Sequence, residues 1–125
     1  MSALPKVRIV PGRLLEPYFE PYAKEQQLEV PDASELPGII ESFRNEWRVF
    51  EEKILSGMCS ATGLAFAQSE IDVYIVRNLR GGMSDPMIIS AKPSPGRFVD
   101  LLTHELIHRI SSRNSEGILP FSIID

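Results

Sequence analysis

Residues 95–110 carry the strongest constraint in this sequence, because their apolar side chains recur at the spacing of one helix face. The stripe consists of Phe98, Val99, Leu102, Leu106 and Ile110. Such a stripe predicts a helix that packs on a core along one side. At ~100° per residue, His104 and His108 lie only ~40° apart on the opposite face. One side of this helix therefore has core character, and the other side carries two imidazoles.

The same segment contains the motif His104-Glu105-Leu106-Ile107-His108, which holds both histidines of the chain. On a helix, two rings one turn apart direct nitrogens at one ion about 2.0–2.1 Å away, as in zinc sites. Glu105 lies to the side, where it is placed to hydrogen-bond a zinc-bound water and take its proton. We therefore predict that His104 and His108 are metal ligands and that Glu105 is the catalytic general base.

Composition places the chain among ordinary globular proteins, with 125 residues, of which 43% are hydrophobic and 24% charged. This length predicts a single domain over residues 1–125. The net charge of −4, with scattered Lys and Arg, argues against a nucleic-acid partner. No stretch nears the ~20 apolar residues that span a bilayer, and the start lacks the apolar region of a signal peptide. We expect a cytoplasmic protein without a membrane partner.

Helical and strand periodicities alternate along the chain. Asp32 and Glu35 have the form of a capping box ahead of a long amphipathic helix. A short helix over residues 16–27 is an option in an ambiguous, proline-interrupted stretch. The predicted order is a strand at residues 6–10, the long helix at residues 38–58, strands at residues 70–77 and 87–92, and the motif helix at residues 95–112.

The HExxH motif, placed after a long helix and a pair of strands, resembles the zincin metallopeptidases in a small, gluzincin-like (minigluzincin-like) form. The resemblance implies an α+β fold, with a small mixed sheet packed on a long backing helix and on the HExxH helix. It also implies a Zn²⁺ cofactor and a peptide or protein substrate. In this family an edge strand above the cleft pairs with the extended substrate. By resemblance that strand is residues 87–92, with substrate-binding positions at Ile89, Ser90 and Ala91.

The third zinc ligand is where the sequence departs from that family. The metzincin form places a Gly and then a His at fixed spacings after the second motif His, where this chain has Ser111 and Asn114. The gluzincin form takes a Glu from a later helix, and no such helix can be read after Gly117. The remaining candidates for a third ligand are Glu116 and Asp125.

Several interpretations stay open at this point. The chain is truncated before its third ligand, or it uses one of these carboxylates, or it binds zinc weakly without hydrolysing anything. A peptidase is the first hypothesis, with Arg97 or Arg109 as a donor to the oxyanion. Of these two, Arg109 lies at the edge of the apolar stripe and is predicted to form a structural ion pair. The alternatives are a non-catalytic zincin-like regulatory or binding domain with a weak or vestigial metal site, and a histidine pair that binds no metal.

Overall fold

A four-stranded sheet with helices on both faces forms the part of the chain that the structure describes. The structure is a computed structural model, which describes residues 4–114 and side chains as far as Ser111. The α+β prediction is confirmed. The elements are β1 (Lys6–Pro11), α1 (Glu16–Glu25), a single 3-10 turn (Ala33–Glu35), α2 (Leu36–Thr62), β2 (Glu70–Val76), β3 (Gly82–Ser84), β4 (Met87–Ser90) and α3 (Pro95–Asn114).

The sheet is mixed and has the strand order β1-β2-β4-β3. β1 and β4 both run parallel to β2, while β3 is antiparallel to β4. In sequence, α1, the 3-10 turn and α2 lie between β1 and β2, and a short loop leads from β4 into α3. No helix within residues 4–114 is both long enough and apolar enough to cross a membrane.

One face of the sheet packs against α2 and α3 and forms the main core. The buried side chains of this core come from all of these elements and include Ile9, Ile71, Val73, Ile75, Met87, Ile89, Phe43, Trp47, Phe98, Leu102 and Leu106. Phe43 of α2 and Phe98 of α3 stack with ring centroids 4.1 Å apart and planes within 5° of each other. Stacked aromatic pairs add to the free energy gained from burial alone. This contact therefore joins the two helices directly.

The opposite face of the sheet packs against α1 in a smaller cluster. Val76 and Ile88 are buried there, and Phe19 and Tyr22 of α1 pack against them. Both faces of the central strands are thus covered, which explains why β4 is buried at every position.

The long helix α2 extends beyond the predicted residues 38–58 at both ends. The predicted capping box is present, since the Asp32 side chain accepts from the Ser34 N–H and the Glu35 carboxylate accepts from the Asp32 N–H at 2.8 Å. The helix ends at Gly63, which has φ 71° and donates its N–H to the Cys59 carbonyl. A positive φ suits glycine because it has no Cβ.

Two features of the sheet differ from the sequence-based expectation. The sequence predicts no strand between residues 77 and 87, but the short strand β3 lies there, at Gly82–Ser84. Because β3 pairs with β4, residues 87–90 lie inside the sheet. The prediction that residues 87–92 form an edge strand is therefore wrong, and β3 occupies that edge instead.

A partly buried ion pair attaches α1 to the residue that follows β2. Arg77 donates its backbone N–H to Glu16 Oε2 at 2.9 Å and its Nη2 to Glu16 Oε1 at 2.8 Å. Asn78 Nδ2 donates to the Glu16 backbone carbonyl at 2.7 Å. Burial alone would raise the pKa of Glu16, but the hydrogen bonds and charge of Arg77 outweigh it and hold this pKa below its ordinary value.

We predict that Glu16→Gln lowers the free energy of unfolding at neutral pH by about 2 kcal/mol, because it removes a charged acceptor from several donors. A carboxyl group whose pKa is lowered on folding stabilises the fold at pH values above its unfolded-state pKa. This contribution is lost as the pH falls through its folded-state pKa. The difference between wild type and variant should therefore shrink below pH ~4. Urea unfolding at a series of pH values measures this difference. The matched control is Glu20→Gln, because Glu20 forms an exposed ion pair with Lys24. A difference that stays constant down to pH ~2 would contradict this account.

Candidate metal centre

The helix α3 presents its two faces as its periodicity predicts. Its N-terminus follows Ser94, whose Oγ accepts from the Arg97 N–H at 3.4 Å, and Pro95 is its first residue. Both features favour a helix start. The predicted apolar stripe is buried throughout, at Phe98, Val99, Leu102, Leu106 and Ile110.

The two histidines lie together on the outer face of α3. His104 is exposed and His108 is partly buried. Their Nε2 atoms are 3.2 Å apart, and their ring planes cross at 83° with centroids 4.7 Å apart. Both rings thus turn the same nitrogen toward a common point beside the helix.

This separation can be tested against the geometry of a zinc ion. Two nitrogens 3.2 Å apart, each ~2.05 Å from one ion, would subtend an angle of ~103°, close to the tetrahedral value. The same distance also suits an N–H···N hydrogen bond between two neutral rings, with the donor set by the tautomer. The separation of the two Nε2 atoms is therefore compatible with two adjacent positions around a zinc ion.

A third ligand is not found among the residues whose side chains are described. No group of three His, Cys, Asp or Glu side chains within that part of the chain is arranged to hold a metal ion. The predicted candidates Glu116 and Asp125 lie outside the described residues. A catalytic zinc site needs three protein ligands, so such a site would need one ligand besides the two histidines.

Glu105, the predicted general base, is 6% exposed and belongs to the flank of α3 that faces β3. Arg109 lies one turn further along α3 on the same flank. Its Nε donates to the carbonyl of Ser84 in β3 at 3.0 Å, so this flank faces β3. At ~100° per residue, Glu105 lies about 60–100° around the helix from the two histidines. By this spacing the side chain leaves the helix beside the histidine pair and not within it.

Arg109 holds three parts of the fold together. Its Nη1 donates to Gln68 Oε1 at 2.7 Å, and its Nη2 lies 3.8 Å from Asp85 Oδ1. The expected structural ion pair is therefore present. Arg97, the other candidate donor to an oxyanion, lies two helical turns before His104 and ~10 Å away along the axis, and it is paired at 3.8 Å with Asp100.

The predicted substrate-binding residues of β4 and its C-terminal end are fully engaged within the fold. Ile89 and Ala91 are buried in the main core. The Ser90 N–H donates to the Gly81 carbonyl, and the Ala91 N–H donates to the Val76 carbonyl, both at 2.8 Å. A substrate strand at Ile89, Ser90 and Ala91 would need an unpaired strand edge there, and that edge of the sheet belongs to β3.

β3 presents a row of backbone groups on its outer side. Because residues 81 and 90 are hydrogen-bonded partners, alternation along an antiparallel ladder turns Met83 toward β4 and turns Gly82 and Ser84 outward. The Ser84 carbonyl is taken by Arg109. The N–H and C=O of Gly82 and the N–H of Ser84 therefore face away from β4.

β3 is not predicted by the sequence analysis, although the pair Gly81-Gly82 at its start indicates a close approach of two backbones. A Cβ on Gly82 would lie 2.8 Å from the Ile88 carbonyl oxygen and 3.1 Å from Ile89 Cγ1. Only glycine permits that approach of the two strands without a shift.

Comparisons with models of known protein families, with curated proteins and with solved structures find no match to this chain.

We predict that Zn²⁺ raises the melting temperature of the full chain, because a ligand that binds only the folded state stabilises it. His104→Ala and His108→Ala should each weaken zinc binding by at least about 100-fold, since loss of a ligand costs more than loss of a residue that supports one. Calorimetric titration and thermal melts measure both effects. Asp100→Ala, which removes an exposed carboxylate from the same helix, should leave the affinity unchanged. Equal zinc affinity in wild type and both histidine variants would favour the hydrogen-bonded pair.

Proposed function

We propose that this chain is a zinc-dependent metallopeptidase that hydrolyses peptide bonds, a small gluzincin-like zincin. The observation that carries the proposal is the pair of Nε2 atoms 3.2 Å apart on α3, with Glu105 on the adjoining flank. Two imidazoles one turn apart with a carboxylate directly after the first are the arrangement that zinc hydrolases use. A location in the cytoplasm and the absence of a nucleic-acid partner belong to the same proposal.

His104 and His108 would hold the ion through Nε2, with Glu116 or Asp125 as the predicted third ligand. When bound, zinc lowers the pKa of a coordinated water and polarises the carbonyl of the scissile bond. Glu105 accepts the proton of the attacking water at a carboxylate oxygen and then donates it to the departing amine nitrogen. The low exposure of Glu105 keeps bulk water away from that proton.

The outer edge of β3 is the surface on which an extended substrate would lie. It adjoins the Glu105 flank of α3, because Arg109 joins α3 to Ser84. A substrate strand can accept from and donate to Gly82, and it can accept from the Ser84 N–H. Peptides and proteins are the substrate class, since this mode of binding uses main-chain groups.

We predict that Glu105→Gln lowers kcat for hydrolysis of a peptide substrate by about 10²–10⁴-fold, because the amide cannot accept the proton. Zinc affinity should change little, since Glu105 is not a ligand. An internally quenched peptide library provides the activity assay, and calorimetry provides the affinity. Glu52→Gln, an exposed site on α2, is the matched control. Retained turnover in Glu105→Gln would rule out its role as the base.

We predict that N-methylation of the substrate amide opposite the Gly82 carbonyl raises KM by about fivefold to tenfold, because it removes one main-chain hydrogen bond. An isomeric substrate with the methyl group on an amide outside the paired stretch should keep the KM of the parent peptide. Steady-state kinetics on the two isomers measures the difference. Identical KM values would mean that β3 does not pair with substrate.

A second candidate function is a zincin-like regulatory or binding domain without catalysis. It is favoured by one observation, that the described side chains supply only two ligands for the ion. The Glu105→Gln variant separates the two functions, because a binding domain would show no turnover in either form and would keep its partner affinity after the substitution.

A further inference from the structure

β1 forms the other edge of the sheet, away from the candidate metal centre. Among residues 4–114 it pairs only with β2. The Lys6 N–H donates to the Ser69 carbonyl at 2.8 Å, and in a parallel ladder alternate residues bond to the same neighbour. Lys6, Arg8 and Val10 therefore face β2, and the backbones of Val7 and Ile9 face outward.

Part of this edge is already closed. Arg44 of α2 donates from Nε to the Ile9 carbonyl at 2.9 Å, and Pro11 has no N–H to offer. Within the described part of the chain, three groups of this edge have no partner: the N–H and C=O of Val7 and the N–H of Ile9. Such a run suits a short added strand and limits its register.

A groove of about 420 Å³ runs along this edge, between β1 and α2. Trp47 lies at its base, only 3% exposed, and donates its indole N–H to Glu51 Oε2 at 2.9 Å. A strand placed beside β1 would therefore rest against α2 on one side and leave its other side to solvent.

Positive charge borders the groove from both faces of the sheet. Lys6 and Arg8 lie on the face that carries Glu70 and Asp72 of β2. Arg44 and Arg48 extend from α2, so the lining holds four cations and one carboxylate, Glu51, in a chain of net charge −4. Arg8 pairs with Asp72 at 3.1 Å and Arg44 with Glu41 at 3.8 Å, so Lys6 and Arg48 are the cations of the lining that have no ion pair among the described residues.

We propose that this groove binds an acidic peptide segment in an extended conformation, which joins the sheet as a strand beside β1. Main-chain hydrogen bonds to Val7 and Ile9 fix its position, and acidic side chains meet Lys6 and Arg8 on one face and Arg48 on the other. A second copy of this chain is a poor occupant, because pairing β1 with β1 would set four cations against four.

The experiment uses the full chain and Trp47, the only tryptophan of the sequence, as the reporter. A capped hexapeptide of alternating glutamate and threonine is titrated while Trp47 emission is followed, with NMR of the Val7 and Ile9 amides as a second readout. We expect saturable binding of this peptide and at least about tenfold weaker binding of the lysine-threonine counterpart. Equal binding of both peptides, or none by either, would overturn the proposal.

Charge-reversed variants locate the site. Lys6→Glu and Arg48→Glu, both at exposed positions, should each weaken binding of the acidic peptide by about tenfold. Each should also strengthen binding of the lysine peptide. Arg80→Glu, an exposed position outside the groove, is the matched control and should leave both affinities unchanged. An equal loss in Arg80→Glu would mean that only overall charge matters, which would contradict a specific groove.

Main-chain pairing is tested from both partners. Val7→Pro removes an outward N–H that β2 does not use, and proline is tolerated on such an edge. Methylating the amide nitrogens along one edge of the peptide removes the matching donors without altering the protein. Both changes should weaken binding by at least about tenfold. Unchanged affinity for the methylated peptide, or β1-mediated dimers in analytical ultracentrifugation, would overturn strand addition.

Discussion

Burial of one face of α3 against the sheet is the interaction on which the candidate site depends. The stripe from Phe98 to Ile110 is removed from water, and Phe98 stacks on Phe43 of the long helix. With its rotation fixed in this way, α3 has no freedom to turn its histidines inward. The free energy that holds the histidine face outward therefore comes from apolar contacts on the opposite side of the same helix.

What could be predicted from the sequence was local. The two long helices, the strand β2 and the outward position of His104 and His108 follow from periodicity within a few turns of chain. Even there, packing changes details, since Phe50 belongs to the apolar stripe of α2 but is 40% exposed beside an open groove between α2 and α3.

What could not be predicted depends on pairing between distant segments. β3 has only three residues, too few for an alternating pattern to be recognised, so only its partner strand identifies it. Because β3 is present, β4 lies inside the sheet and not at its edge. The strand edge that could pair with an extended peptide is therefore that of β3. A third zinc ligand would be a comparable case, because it would come from outside the HExxH helix and no local spacing rule identifies it.

The two edges of the sheet differ in chemistry. β3 adjoins the flank of α3 that carries Glu105, and Arg109 fixes the two elements to each other. β1 lies at the far edge and is bordered by cations from its own strand and from α2. A small mixed sheet thus offers main-chain groups on both sides, one beside the proposed reaction centre and one remote from it.

X-ray absorption at the zinc edge tests the central claim most directly, because it reports the atoms bound to the ion. For the zinc-loaded full chain, the account predicts scattering from two imidazole rings with nitrogens at about 2.0–2.1 Å, and only one ring after His108→Ala. A first shell of oxygen atoms alone, or a spectrum that His108→Ala leaves unchanged, would contradict a metal centre at His104 and His108.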